Sequence, residues 1–295
     1  MGLWKAVVDF SKMVKLSHTV FALPFALVAV VIIYKNGASL IGVKEVIYIV
    51  LAFTGARSFS MAFNRIVDAR IDARNPRTAN REIPSGVLSG NQVWVFALLS
   101  LIVLWVFAWL LSPVAFYLSF PVLALLAGYS YAKRFTWFCH IWLGAVIGLA
   151  PIGVDIALTQ SLTLTSGILF GILTTYIAGF DILYSIQDVN FDRENGLQSI
   201  PVRFGIHVSL WISTFLHLLA CAGFFLFWQM EGFGMIFLGG AVLLTLLVFA
   251  EHFVVGWGKN VKKDRIPMAF FHFNSSISIL FLVSVLADVF SGASL

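Results

Sequence analysis

Nine apolar runs divide this chain, and their length restricts what it can fold into. They lie near 18–34, 43–64, 91–111, 113–131, 137–157, 163–186, 206–229, 233–256 and 268–290. A helix needs roughly 20 apolar residues to cross about 30 Å of hydrocarbon. In lipid, every backbone N–H and C=O must be satisfied within the chain, so only helices and closed barrels span. Continuous runs rather than alternating ones select helices. The first run is the shortest, and a backward extension through 13–18 would bring it to span length. Ser112-Pro113 separates the third run from the fourth, which would otherwise form one implausibly long helix. Only 11% of the residues are charged, against about 25% in soluble domains. The first residues carry Lys5, Lys12 and Lys15 but no small-residue cleavage site, so the first run is expected to be a true span.

The net charge of +5 is informative by position. Lys5, Lys12 and Lys15 precede the first span, and Arg65, Arg70, Arg74, Arg77 and Arg81 follow the second. Lys133 and Arg134 follow the fourth, Arg193 and Arg203 the sixth, and Lys259, Lys262, Lys263 and Arg265 the eighth. Of the 19 basic residues, only Lys35, Lys44 and Arg57 fall elsewhere. The positive-inside rule then puts the N-terminus in the cytosol and the C-terminus outside. Trp4, Trp94, Trp137, Trp211 and Trp257 fall near cytosolic ends, and Trp109 and Trp228 near opposite ends, as an aromatic belt does. Basic residues scattered among loops give no nucleic-acid footprint. The expectation is an all-α, multi-pass bundle of nine transmembrane helices, a single domain over 1–295, in the cytoplasmic (inner) membrane. Its active-site loops would face the cytosol.

Two stretches rich in aspartate stand out in this apolar chain. The first holds Asn64, Asp68 and Asp72 at i, i+4 and i+8, one stripe on a helix, with Arg57 seven positions earlier on the same face. The second holds Asp181, Asp188 and Asp192 at i, i+7 and i+11, with Tyr184 and Ser185 on or beside the stripe. Acids in spans are functional by default. Two such stripes facing each other would form a box of carboxylate oxygens. Mg2+ is usually held by one or two carboxylates plus substrate phosphates, so a diphosphate-bearing substrate fits. Arg77, Arg81, Lys133 and Arg203 follow the stripes and would stabilise a departing diphosphate. Arg57 costs roughly 2.5–3.5 kcal/mol inside a span on insertion scales. It either pairs with an Asp of the cluster or faces a substrate carboxylate.

Other polar residues carry less. The six histidines show no metal spacing and mostly read as packing or interfacial residues; only His18 and His140 lie at the face carrying the acids. Cys139 and Cys221 read as small buried groups. Gly144, Gly148 and Gly153 give close helix approach or line an apolar slot, with packing slightly favoured.

Asn64-x3-Asp68-x3-Asp72 followed by Arg77-x3-Arg81 resembles the first aspartate motif of the UbiA superfamily of intramembrane prenyltransferases. Asp181-x2-Tyr184-x3-Asp188-x3-Asp192, with Gly196 and the 199–205 run, resembles its second motif, and Tyr129-x3-Lys133 its short Tyr-x3-Lys element. The likeness covers nearly the whole chain. It implies Mg2+-dependent transfer of a polyprenyl group from a polyprenyl diphosphate to an aromatic acid, inside membrane lipid. Asn64, Asp68, Asp72, Asp188 and Asp192 would hold metal and diphosphate, with Asp181 and Tyr184 near that site. Arg77, Arg81 and Lys133 would hold diphosphate oxygens, and Arg57 would lie near the acceptor carboxylate. The 15–25 and 199–205 runs are most similar to the bacterial 4-hydroxybenzoate polyprenyltransferase group of quinone biosynthesis. That group includes relatives using naphthoate-type acceptors for menaquinone.

The implied mechanism ionises the allylic diphosphate, shields the carbocation from water, and lets the ring carbon beside the phenolic hydroxyl attack. The ring proton then goes to an Asp of the cluster or to released diphosphate. A porphyrin or lipid glycerol phosphate acceptor is a further reading. A secondary transporter is a distant one, because transporter sites lie near mid-membrane.

Overall fold

The computed structural model describes residues 3–37, 41–256 and 261–292, without the side chains of 3 and 16–18. Trp257 and Lys259 lie outside the described residues. These contain helices and no strand. The helices are α1 (Leu3–Met13), α2 (Leu23–Lys35), α3 (Val43–Asp72), α4 (Gly90–Leu111), α5 (Pro113–Ala132) and α6 (Cys139–Thr159). They continue with α7 (Leu164–Ser185), α8 (Val189–Glu194), α9 (Ile200–Glu231), α10 (Met235–Val255) and α11 (Ile266–Ser291). Short 3-10 segments cover Leu16–Phe21, Ile186–Asp188 and Lys263–Arg265.

The all-helical membrane architecture expected from the apolar runs is what the chain forms. Among the described residues, eight helical stretches are long and apolar enough to cross a membrane. The first run is a shorter case. Pro24 sits in the first turn of α2, where its missing N–H costs nothing and its fixed φ suits a helix start. Its 13 residues reach about 20 Å at 1.5 Å each, so the run does not extend back to span length as expected.

The chain forms two compact units. The first comprises 1–19 and 43–131. Its α3 and α4 pack along their length, and Gly55 lies against the Ser100 carbonyl and the Leu104 backbone. Ala52, Phe59, Ala62, Val93, Ala97, Leu101 and Leu104 fill the seam. Ser89 and Gln92 form a reciprocal capping box that starts α4. The break expected at Ser112-Pro113 is present, because α4 ends at Leu111 and α5 starts at Pro113.

The second unit comprises 20–42 and 132–295. There α7 is the central element, packed on α2, α6, α9 and α11. Cβ atoms at Gly144 and Gly148 would run into the Thr174 carbonyl and hydroxyl of α7. Gly153 faces open space, so only the first two glycines serve close packing. Buried polar contacts join the helices as well. The Tyr176 hydroxyl donates to Asn274 Oδ1, and His217 contacts His252 at 2.8 Å. Asp288 on α11 accepts from the Gly234 and Phe237 amides at 3.0 and 2.9 Å, and so caps α10 from outside it. Asp155 does similar work at the start of α7, accepting from the Thr163 amide and the Ser166 hydroxyl, each at 2.7 Å.

Candidate active site

In the first unit, α3 does not end where the hydropathy falls. It runs on to Asp72, so Asn64, Asp68 and Asp72 share one continuous helix. Their expected stripe is real at its first step: Asn64 Nδ2 donates to Asp68 Oδ2 at 3.0 Å, the i, i+4 distance on a helix face. Asp72 is buried and tied to the following loop. Arg81 Nη1 donates to both of its carboxylate oxygens, at 2.7 and 2.8 Å, and Thr78 Oγ1 donates to its backbone carbonyl. Asn75 Oδ1 accepts from the Arg77 amide at 3.0 Å and turns the loop. The Arg77 side chain is exposed. Arg57 is partly buried deeper in α3, and its Nε is buried with no hydrogen-bond partner. Tyr129 is partly buried on α5.

In the second unit the acids do not share one uniform helix. Asp181 and Tyr184 belong to α7, Asp188 ends the 3-10 segment, and Asp192 lies on α8. A 3-10 residue turns the chain by about 120° rather than about 100°, so three of them rotate α8 by about 60° relative to a continuous α-helix. The single stripe expected from i, i+7 and i+11 spacing is corrected to this kinked arrangement. Asp188 and Asp192 are nonetheless both buried, at 7% and 3% exposure.

Lys133 joins this set from the loop between α5 and α6. Its carbonyl accepts from the Gln198 amide at 2.6 Å, and its Nζ donates to Asp192 Oδ2 at 3.3 Å. Burial pulls the Lys133 pKa down, but Asp192, then Cys139, Asp181 and Asp188, raise it above the ordinary lysine value. The ammonium is therefore permanently charged beside the acids. The Tyr184 ring lies 4.4 Å from that of Phe270. Arg203 is exposed on the first turn of α9 and takes no part in this buried set. Ser199 caps that turn, and the helix breaks at Gly205, where φ is 78°, a value that suits glycine.

The sequence places His140 at the face carrying the acids but assigns it no partner; its Nδ1 lies 2.6 Å from Asp181 Oδ2.

The profile of the UbiA prenyltransferase family matches residues 22–275. The chain belongs to the UbiA prenyltransferase family. A UbiA homolog from Aeropyrum pernix K1 in its apo state is 30% identical, with a TM-score of 0.81 over 92% of this chain and 98% of that one. The 4-hydroxybenzoate octaprenyltransferase of Saccharophagus degradans is 24% identical over 239 residues, 81% of this chain and 78% of that protein. The enzyme of the same name from Tolumonas auensis is 30% identical over 157 residues, and that match spans only 55% of its length. A UbiA homolog from Archaeoglobus fulgidus bound to GPP and Mg2+ shares the fold at 17% identity and a TM-score of 0.70, covering 95% of this chain and 99% of that one.

This UbiA-family chain is thus a multi-pass membrane prenyltransferase. Its acids also suit a hard divalent ion. No group of three or more His, Cys, Asp or Glu among the described residues is disposed to hold a metal without help. Mg2+ does not require one, because it binds through one or two carboxylates, waters and substrate phosphates. Asp188 and Asp192 offer buried oxygen donors, and Asp192 has a cation on one oxygen only.

Proposed function

We propose that this protein transfers a polyprenyl group from a polyprenyl diphosphate to a small aromatic acid, with 4-hydroxybenzoate as the favoured acceptor. The observation carrying this reading is the pair of acid sets, each with a basic partner in place: Asp72 with Arg81, and Asp192 with Lys133. The names of the curated relatives support the acceptor. The bound GPP and Mg2+ of the Archaeoglobus homolog support the donor and ion. The excess of Lys and Arg in the loops beside the acids supports a cytosolic face on the inner membrane.

In this proposal Asn64, Asp68, Asp72, Asp188 and Asp192 hold Mg2+ against the diphosphate, with Asp181 and Tyr184 beside them. The bound ion would draw electron density from the diphosphate and so weaken the allylic C–O bond. Lys133 and Arg81 are charged donors positioned by their acids before substrate arrives, with Arg77 and Tyr129 assigned to the same diphosphate. Preorganised charge of this kind costs no reorganisation during reaction. The surrounding helices keep water from the allylic cation.

Arg57 fits an acceptor carboxylate, since it presents a buried donor that nothing among the described residues satisfies. Arg57→Ala is expected to raise the acceptor KM about tenfold or more, the size of a lost charged hydrogen bond. The diphosphate KM should stay within about twofold. Steady-state kinetics with each substrate varied in turn checks this, and an unchanged acceptor KM removes Arg57 from the role. The whole reading is tested by incubating purified protein with Mg2+, one polyprenyl diphosphate and a panel of hydroxybenzoate and naphthoate acceptors. A prenylated hydroxybenzoate identified by mass is expected. Absence of any prenylated aromatic product would end the proposal.

A further inference from the structure

We propose that His140 is a positioning residue for the transfer step, holding Asp181 so that one of its oxygens receives the ring hydroxyl of the acceptor. The inference rests on the prenyltransferase reading above and adds a residue pair to it.

The pair is asymmetric. His140 is completely buried, while 16% of the Asp181 side chain stays exposed. The 2.6 Å contact joins Nδ1 to Oδ2, and a carboxylate only accepts, so the ring carries the proton on Nδ1 and donates. This ties Oδ2 and leaves Oδ1 as the open atom. His140 Nε2 is buried with no hydrogen-bond partner among the described residues. A side chain needed only to fill space would be apolar, because an unsatisfied buried polar atom is costly. The pair also borders the second acid set, since Asp181 acts electrostatically on Lys133 and His140 on Asp192. Each partner is fixed by its helix. Gly144, one turn after His140, seats α6 on Thr174 of α7, two turns before Asp181.

The chemistry stems from the open oxygen. The acceptor hydroxyl donates to Asp181 Oδ1. As the ring carbon bonds to the allylic carbon, the allylic C–O pair leaves with diphosphate and the hydroxyl proton passes to Asp181. The ring is then a neutral dienone. It regains aromaticity when the proton on the alkylated carbon leaves to diphosphate and Asp181 returns its proton to the oxygen. The net change is one new C–C bond, one diphosphate and one proton released. His140 touches no substrate and keeps the carboxylate from rotating away.

The test compares wild type, His140→Phe and His140→Asn, all full-length in detergent with Mg2+, a polyprenyl diphosphate and 4-hydroxybenzoate. Phe keeps the ring without a donor, and Asn restores a donor near the Nδ1 position. Prenylated product and prenyl alcohol from water capture are measured separately. His140→Phe should lose about 100-fold in transfer kcat, the usual scale for proton transfer by a side chain. Its diphosphate KM should hold and prenyl alcohol should still form, while His140→Asn recovers most transfer. Asp181→Asn, which should fold because it keeps the shape, should show the same loss of transfer with alcohol retained. Wild-type transfer in His140→Phe or Asp181→Asn overturns the proposal. So does His140→Asn failing as badly as His140→Phe, or loss of alcohol together with transfer. Wild-type protein that releases no diphosphate with Mg2+ would instead overturn the underlying reading, and this inference with it.

Discussion

Asp188→Ala is expected to lower prenyl transfer by at least about 100-fold, the scale of removing one preorganised charge-stabilising group. Asp188 is buried within the same electrostatic set as Lys133 and Asp192. In the proposed mechanism it is one of the carboxylates that hold Mg2+ against the diphosphate, and such an ion usually relies on one or two carboxylates plus substrate phosphates. The Lys133–Asp192 pair stays in place in this variant. Asp68→Ala should be as inactive. Wild-type turnover in either variant would end the metal-and-diphosphate mechanism.

Gly144→Leu is expected to cost at least about 3 kcal/mol, above the usual range for overpacking. A Cβ there would press on the Thr174 backbone carbonyl, which cannot swing aside as a side chain can. The two helices would have to part, and α7 is the centre of its unit. Parting them also separates His140 from Asp181, so any protein that still folds should lose transfer. Gly153→Ala is the matched control on the same helix, since its Cβ meets nothing within 4 Å. It should be neutral or stabilising by about 0.5–1 kcal/mol, the helix preference of Ala over Gly. Melting curves and the yield of monodisperse protein decide this. A Gly144→Leu protein that melts like wild type would mean the α6–α7 seam is not tight.

Most of the helical frame could be read from the residues, because hydropathy is local and strong. The sixth run, read as 163–186, is α7 at Leu164–Ser185, and the Ser112-Pro113 break falls where proline chemistry requires it. What failed did so for particular reasons. Hydropathy marks where a helix leaves lipid, not where it ends; the i, i+4, i+8 spacing of Asn64, Asp68 and Asp72 is what carries α3 on to Asp72. The helix α2 starts at Leu23, with Pro24 in its first turn, although the apolar run passes straight through both. The 3-10 segment at Ile186–Asp188 has no sequence mark that a spacing count would detect. The His140–Asp181 contact joins positions 41 apart, and local periodicity carries no record of it. The sequence signals are the place of His140 at the face carrying the acids and the small-residue face of Gly144 and Gly148, which hints at a close neighbour for that helix. Neither says which residue that neighbour presents.

The Asp288 contact has a consequence for biosynthesis. The amides that open α10 find their acceptor 54 and 51 positions downstream, in the last helix of the chain. A ribosome makes that helix after α10. Until it arrives those N–H groups lack this acceptor, and an unpartnered amide is expensive in lipid. Membrane integration of this half of the molecule is therefore completed late, and the final turns of α11 act as its latch.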